Sequence, residues 1–128
     1  MNRVEQREWV LKLIYQDTIN KIDDTISLFE NHNIDQKETF IIDSINSYKK
    51  NYDQIEKKLE ENLLDKHTII SKMVRSILYL SINEIYFMDI PVSVSINEAV
   101  NLSKKFSDTD DYKLVNLILG NIVRKDNK

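Results

Sequence analysis

The chain is predicted to fold as an all-α domain, on two observations. It holds a single glycine, Gly120, and a single proline, Pro91, in 128 residues, whereas a strand-rich domain needs many tight turns that draw on both. Its apolar residues, 41% of the chain against 30% charged, recur at three- and four-residue steps, the period of a helix with one buried face. The length suits one domain, residues 1–128, able to bury roughly two-thirds of the surface its unfolded form exposes.

The first helix is expected from about Val4 to Ile19, with Val4, Leu11, Ile14 and Tyr15 on one stripe and Arg7, Glu8 and Lys12 between them. A polar break over Asn20–Asp24 precedes a short helix bearing Ile26, Leu28 and Phe29, ended by Asn31-His32-Asn33. Asp35 and Glu38 have capping-box spacing, and the helix they open carries Phe40, Ile41, Ile45, Tyr48, Tyr52, Ile55 and Leu59. The stripe fits one long helix or two with a break near Asn51. Lys49, Lys50, Lys57 and Lys58 alternate with Asp53, Glu56, Glu60 and Glu61, which reads as a solvated face with ion pairs three or four residues apart.

The most apolar stretch, Ile69 to about Met88, is hydrophobic on more than one face and belongs at the centre of the bundle. Asp89-Ile90-Pro91 breaks it, because proline lacks an N–H and disfavours helix in its predecessor. A helix restarts near Ser93, with Ser95 and Glu98 at capping-box spacing and Ile96, Ala99, Val100 and Phe106 as its buried stripe. Ser107–Asp111 forms a loop and N-cap. The last helix buries Leu114, Val115, Ile118, Leu119 and Ile122, then frays from Arg124.

The chemistry is sparse. With no cysteine, disulfides and thiolate metal sites are excluded. His32 and His67 lie in polar loops without a second ligand at metal spacing. One glycine cannot build a phosphate loop, and no nucleophile motif surrounds any serine. Asp108, Asp110 and Asp111 lack the spacing and glycine of a calcium loop and read as acids favoured at a helix N-terminus. No catalytic residue, metal or cofactor is therefore expected. Neither a membrane-spanning run nor a signal-peptide core is visible, so a cytoplasmic protein is expected. A net charge of −3 argues against general nucleic-acid coating but leaves room for a local, partner-dependent RNA site.

The stretch IPVSVSINEAVNLSKKF, Ile90 to Phe106, is specific. It resembles the signature of the NusB family in Ile90, Pro91, Val94, Ile96, Asn97, Glu98, Ala99, Val100, Leu102, Lys104 and Phe106. Weaker matches follow in the right order: Arg3, Arg7, Glu8, Leu13 and Tyr15 near the N-terminus, Met73 to Ile85 with Glu84 centrally, and Lys113, Val115, Asn116 and Leu119 at the end. Read without the family, Ser95 and Glu98 are helix capping, Ile96, Ala99 and Val100 are core, and Asn97 bonds a neighbouring loop.

The resemblance implies an all-α fold of two packed helical subdomains in one compact domain. It implies an antitermination factor that binds boxA-type RNA of ribosomal leader transcripts jointly with the ribosomal protein NusE, within a larger complex of Nus factors and RNA polymerase. Carried onto this chain, Arg3, Arg7, Asp110 and Lys113 are the RNA-binding candidates, and Tyr15 and Glu84 the partner-binding ones. Arg and Lys would neutralise phosphate, while Asp can accept from a base amino group. A homodimer stays open. So do two other readings: a helical adaptor with little RNA affinity, and an RNA-recognition module related to that of RNA cytosine methyltransferases.

This chain departs from the family pattern in places that bear on RNA. Its N-terminal segment has a side-chain balance of only +1 through Lys12, from Arg3, Arg7 and Lys12 against Glu5 and Glu8. Leu114 and Leu117 stand where Phe and Gly are usual, and Asn83 where Tyr is typical. Weak RNA binding by the isolated protein is expected, with most affinity appearing beside NusE.

Overall fold

The computed structural model describes residues 1–63, 65 and 68–128, and His67 lies outside them. The described residues form seven helices and no strand: α1 (Arg3–Ile19), α2 (Thr25–Asn31), α3 (Thr39–Lys50), α4 (Tyr52–Glu61), α5 (Lys72–Phe87), α6 (Val92–Phe106) and α7 (Asp111–Lys125). The all-α expectation holds. Helix α5 is the hub, touching α1, α3, α4, α6 and α7. One apolar cluster runs through the molecule from Val10 and Ile14 through Ile41, Ile55, Ile77 and Ile82 to Val115 and Ile122. The α1–α3 group and the α6–α7 pair both rest on α5.

Helix starts follow hydrogen bonds that apolar spacing does not show. Asn2 opens α1 through a capping box, its Oδ1 accepting from the Glu5 N–H at 2.8 Å. Val4 is exposed there, outside the stripe assigned to it. Asp35 does not cap α3. It closes a turn by accepting from the Lys37 N–H at 2.7 Å, while Glu38 occupies the cap position. The Glu38 carboxylate reaches back to α1 instead, accepting from Gln6 Nε2 at 2.8 Å and lying 3.5 Å from the N-terminal ammonium.

The two-helix alternative at Asn51 is the one realised. Asn51 ends α3 and starts α4, and its Nδ2 donates to the Ser47 carbonyl at 2.9 Å. The lysines nearby largely bridge elements rather than neighbours on one face: Lys49 pairs with Asp17 of α1 and Lys58 with Asp126 beyond α7, both within 2.8 Å. Lys57–Glu61 is an i,i+4 pair of the expected kind, at 3.9 Å. Ile69 lies outside the central helix and is 95% exposed. Ser71 fixes the start of α5, its Oγ accepting from the Val74 N–H at 3.1 Å.

Asp89, at φ 54°, adopts the left-handed conformation that Asp tolerates better than most residues, and it turns the chain towards Pro91. Helix α6 then begins at Val92, so Ser95 sits inside it and caps nothing. Fully buried, its hydroxyl binds Glu84 Oε1 at 2.9 Å and meets Ser81 Oγ at 2.8 Å. Within α6, Ala99 is buried, whereas Ile96, Val100 and Phe106 are only half-buried. No described helix is long and apolar enough to cross a membrane.

Candidate nucleic-acid and partner interface

Helix α1 sends side chains both outward and inward near its N-terminus. Arg3 is exposed, and its guanidinium carbon lies 3.9 Å from the centre of the Phe40 ring. Arg7, one turn on, lies 5.4 Å from the same ring but is 5% exposed. Its Nε donates to Glu84 Oε2 at 2.8 Å. Arg7 and Glu84 are therefore each other's partners inside the bundle and do not lie open on the surface.

Glu84 is 1% exposed. Burial raises its pKa above the ordinary carboxylate value of 4.5, a shift opposed by the Arg7 guanidinium and the Ser95 hydroxyl. The triad Arg7–Glu84–Ser95 joins α1, α5 and α6 at one point. It fixes the N-terminal segment against the helix that carries the family-like motif.

The same triad sets a basic edge. Lys105 near the end of α6 pairs with Glu8 of α1 at 2.7 Å. Lys104 Nζ lies 4.8 Å from the centre of the Tyr112 ring at the start of α7, and Lys113 Nζ lies 6.0 Å from it. Lys113 also lies 3.5 Å from Asp110 Oδ1, with both side chains largely exposed. Such a surface pair contributes about 0–1 kcal/mol, so a phosphate can displace Asp110 with little loss. Lys105 thus joins the end of α6 to α1, and Lys104 and Lys113 flank Tyr112 where α6 meets α7, while Arg3 rests on Phe40 of α3.

Lys104 and Lys105 are not among the sequence-derived RNA candidates, because spacing alone does not single out lysines that also complement the helix dipole in a last turn. Phe40, the platform under Arg3, belongs in sequence to the apolar stripe of α3. Tyr15 is half-buried on α1. Asn83 is 1% exposed and ties α5 to α3: its Nδ2 donates to the Ser44 carbonyl at 3.1 Å, and its Oδ1 accepts from the Ser47 hydroxyl at 2.7 Å. Leu114 is partly buried against the core, and Leu117 is exposed.

The described residues hold no cluster of three or more His, Asp or Glu side chains arranged for a metal ion. His32 accounts for itself structurally, its Nε2 3.0 Å from Gln16 Oε1 and its ring edge-on to Trp9 at 5.8 Å. Asp111 Oδ2 accepts from the Asp108 N–H at 3.0 Å, closing the loop before α7.

The NusB family pattern matches residues 4–124. A transcription antitermination protein NusB of Clostridium novyi is 37% identical to this chain, over 97% of the chain and 99% of that protein. The corresponding protein of Clostridium acetobutylicum is also 37% identical, over 96% of each. A solved structure of NusB from T. maritima superposes with a TM-score of 0.84 at 26% identity, covering 97% of this chain and 92% of that one.

Proposed function

The chain belongs to the NusB family, and on that footing we propose that it is a non-enzymatic transcription antitermination factor acting in the cytoplasm. It binds boxA-type RNA of ribosomal leader transcripts jointly with NusE and enters a complex with other Nus factors and RNA polymerase. The observation that carries the reading is the set of exposed lysines, Lys104, Lys105 and Lys113, where α6 meets α1 and α7, on a chain whose net charge is −3. Their acidic partners are Glu8 and Asp110, and a phosphate can replace the exposed Asp110 contact, which suits an anionic strand held in one place better than general coating of nucleic acid.

Arg3 and Lys113 neutralise phosphates, with Lys104 and Lys105 extending the edge. Asp110, freed from Lys113, accepts from a base amino group. Arg7 and Glu84 act from behind by holding α1 against α6, and Tyr15 supplies contact to NusE. With few free cations, the isolated protein binds weakly, and NusE completes the surface.

The test is titration of a labelled boxA-like RNA, and of a scrambled control, with and without NusE. Specific affinity should appear beside NusE, and Arg3→Ala and Lys113→Ala should each flatten the salt dependence by about 0.7 in log K per log salt. NusE binding without any preference for boxA over the control would leave a protein-binding adaptor instead.

A further inference from the structure

A groove of about 750 Å³ runs along the flank of α6 and α7. Ile96, Val100 and Leu117 line it, with Leu117 44% exposed. Asn97 and Asn116 stand beside this apolar strip, both exposed, and neither carboxamide has a hydrogen-bond partner among the described residues. Lys113 and Arg124 bracket it along α7, eleven residues or roughly 16 Å apart at 1.5 Å per residue. No Asp or Glu lines the groove, although acids outnumber bases in the chain.

Gly120 lies between those cations, inside α7. Glycine weakens a helix interior relative to alanine, and it is usually retained for a left-handed backbone or a close approach. Gly120 does not have a positive φ. A Cβ built on it meets only the Arg124 guanidinium, at 3.1 Å, which is the far end of a flexible side chain. Neither a left-handed backbone nor a close backbone approach explains glycine here, and a larger side chain would act on the groove by displacing the Arg124 guanidinium.

We propose that the α6–α7 groove docks an amphipathic helix of a partner protein, its aliphatic face on Ile96, Val100 and Leu117 and its acidic side chains on Lys113 and Arg124. This site adjoins the RNA edge and shares Tyr112 and Lys113 with it. Two antiparallel helices with apolar rows at i, i+4 spacing form the seat used in helix-in-groove recognition. Ile96, Val100 and Leu117 suit the aliphatic face of a helix. Tyr112 and the Arg124 guanidinium, which also line the groove, are faces on which a base could stack, so an RNA strand is the competing occupant that the test separates. Charge complementarity selects acidic over basic helices.

The test uses the full chain and two fluorescent synthetic helices that share one Leu/Ala face, one flanked by Glu and the other by Lys. Fluorescence anisotropy should show the Glu helix binding at least about tenfold more tightly than the Lys helix. Leu117→Glu and Gly120→Leu should each weaken it about tenfold or more, while boxA-like RNA titrations with NusE stay unchanged in Gly120→Leu. Gly120→Ala controls for folding and should raise Tm by a few degrees. No preference between the helices, or binding indifferent to Leu117→Glu, overturns the proposal. So does loss of RNA binding in Gly120→Leu, which would give the groove to the nucleic acid. Self-association abolished by Leu117→Glu would give it to a second copy of the chain, with the same consequence. Loss of RNA affinity in Arg3→Ala alone bears only on the RNA reading.

Discussion

Replacing Glu84 by leucine strands the Arg7 guanidinium inside the bundle. The two side chains are 6% and 2% exposed and meet at 2.8 Å, so water cannot take over from the lost carboxylate without the bundle opening. At an effective dielectric of about 20, unit charges about 4 Å apart attract by about 4 kcal/mol, and removing one partner of a buried pair typically costs about 3–5 kcal/mol. Domains of 128 residues are stable by roughly 6–19 kcal/mol at 0.05–0.15 kcal/mol per residue. Unfolding entropy of about 2.1 cal/mol/K per residue makes 4 kcal/mol a fall in Tm of roughly 15 °C.

Arg7→Met should behave differently. It leaves a carboxyl group that can take up a proton, whereas the guanidinium left by Glu84→Leu cannot shed one. Burial already raises the Glu84 pKa and Arg7 opposes that shift, so losing Arg7 raises it further. Between the unfolded and folded values the native state then holds more protons than the unfolded one. Stability rises as pH falls through that window, and the Arg7→Met deficit shrinks on acidification. The Glu84→Leu deficit does not shrink in this way.

The double variant Arg7→Met/Glu84→Leu removes both charges, and Ser95 keeps the Ser81 hydroxyl as a partner. It should lie within about 2 kcal/mol of the parent, as apolar replacements of buried ion pairs often do. Urea denaturation of all four proteins, at neutral pH and near pH 5, measures the cycle. A coupling energy below about 0.5 kcal/mol, with the single effects simply adding, would refute the reasoning.

Asp17, nearly buried, accepts from Tyr48 Oη at 2.9 Å, Lys49 Nζ at 2.8 Å and the Ile22 N–H at 2.8 Å. Asp17→Ala should cost about 2–4 kcal/mol and Tyr48→Phe about 1 kcal/mol in denaturant unfolding. Burial and Asp17 hold the Tyr48 hydroxyl far above the ordinary phenol range, so it should stay un-ionised in an ultraviolet titration while the fold lasts. Ser71→Ala removes the cap of α5 and should lower stability by about 1 kcal/mol, read from the same denaturation curves. Asp126 lies at the surface, and hydrogen bonds from Lys58 and Tyr86 lower its pKa below 3.8. Any stability it contributes is present above that value and lost as pH falls through the folded pKa. A carboxyl-carbon NMR titration should show Lys58→Ala raising that pKa towards 3.8.

Helix identity was legible because burial imposes a period, and α5 could be placed at the centre because its apolar residues leave no polar face. Starts were less legible. Asp35 and Glu38 have the spacing of a cap, yet tertiary contacts decide the outcome: the Glu38 carboxylate is held by Gln6 and the N-terminus. Ser95 and Glu98 mislead for a related reason. A serine inside a helix can serve a buried carboxylate eleven residues away, and one-dimensional spacing cannot distinguish that from capping. Arg3, Asp110 and Lys113 are exposed. The inward turn of Arg7 and Glu84 was not legible, because pairing across 77 residues leaves no local pattern.

The motif that identifies the family need not be the surface that binds. Of its residues, Ala99 lies in the core, and the motif-embedded Ser95 completes the hydrogen bonding of Glu84. Glu84 in turn positions Arg7, and the helix carrying Arg7 also presents Arg3 and pairs Glu8 with Lys105 of α6. A change at Ser95 can therefore alter RNA affinity without touching RNA, by loosening α1 against α6. Under the proposed RNA reading, a change at Lys113 acts directly. The two should separate in salt titrations: a lost phosphate contact lowers the slope, whereas a loosened hinge lowers affinity at every salt concentration with the slope preserved.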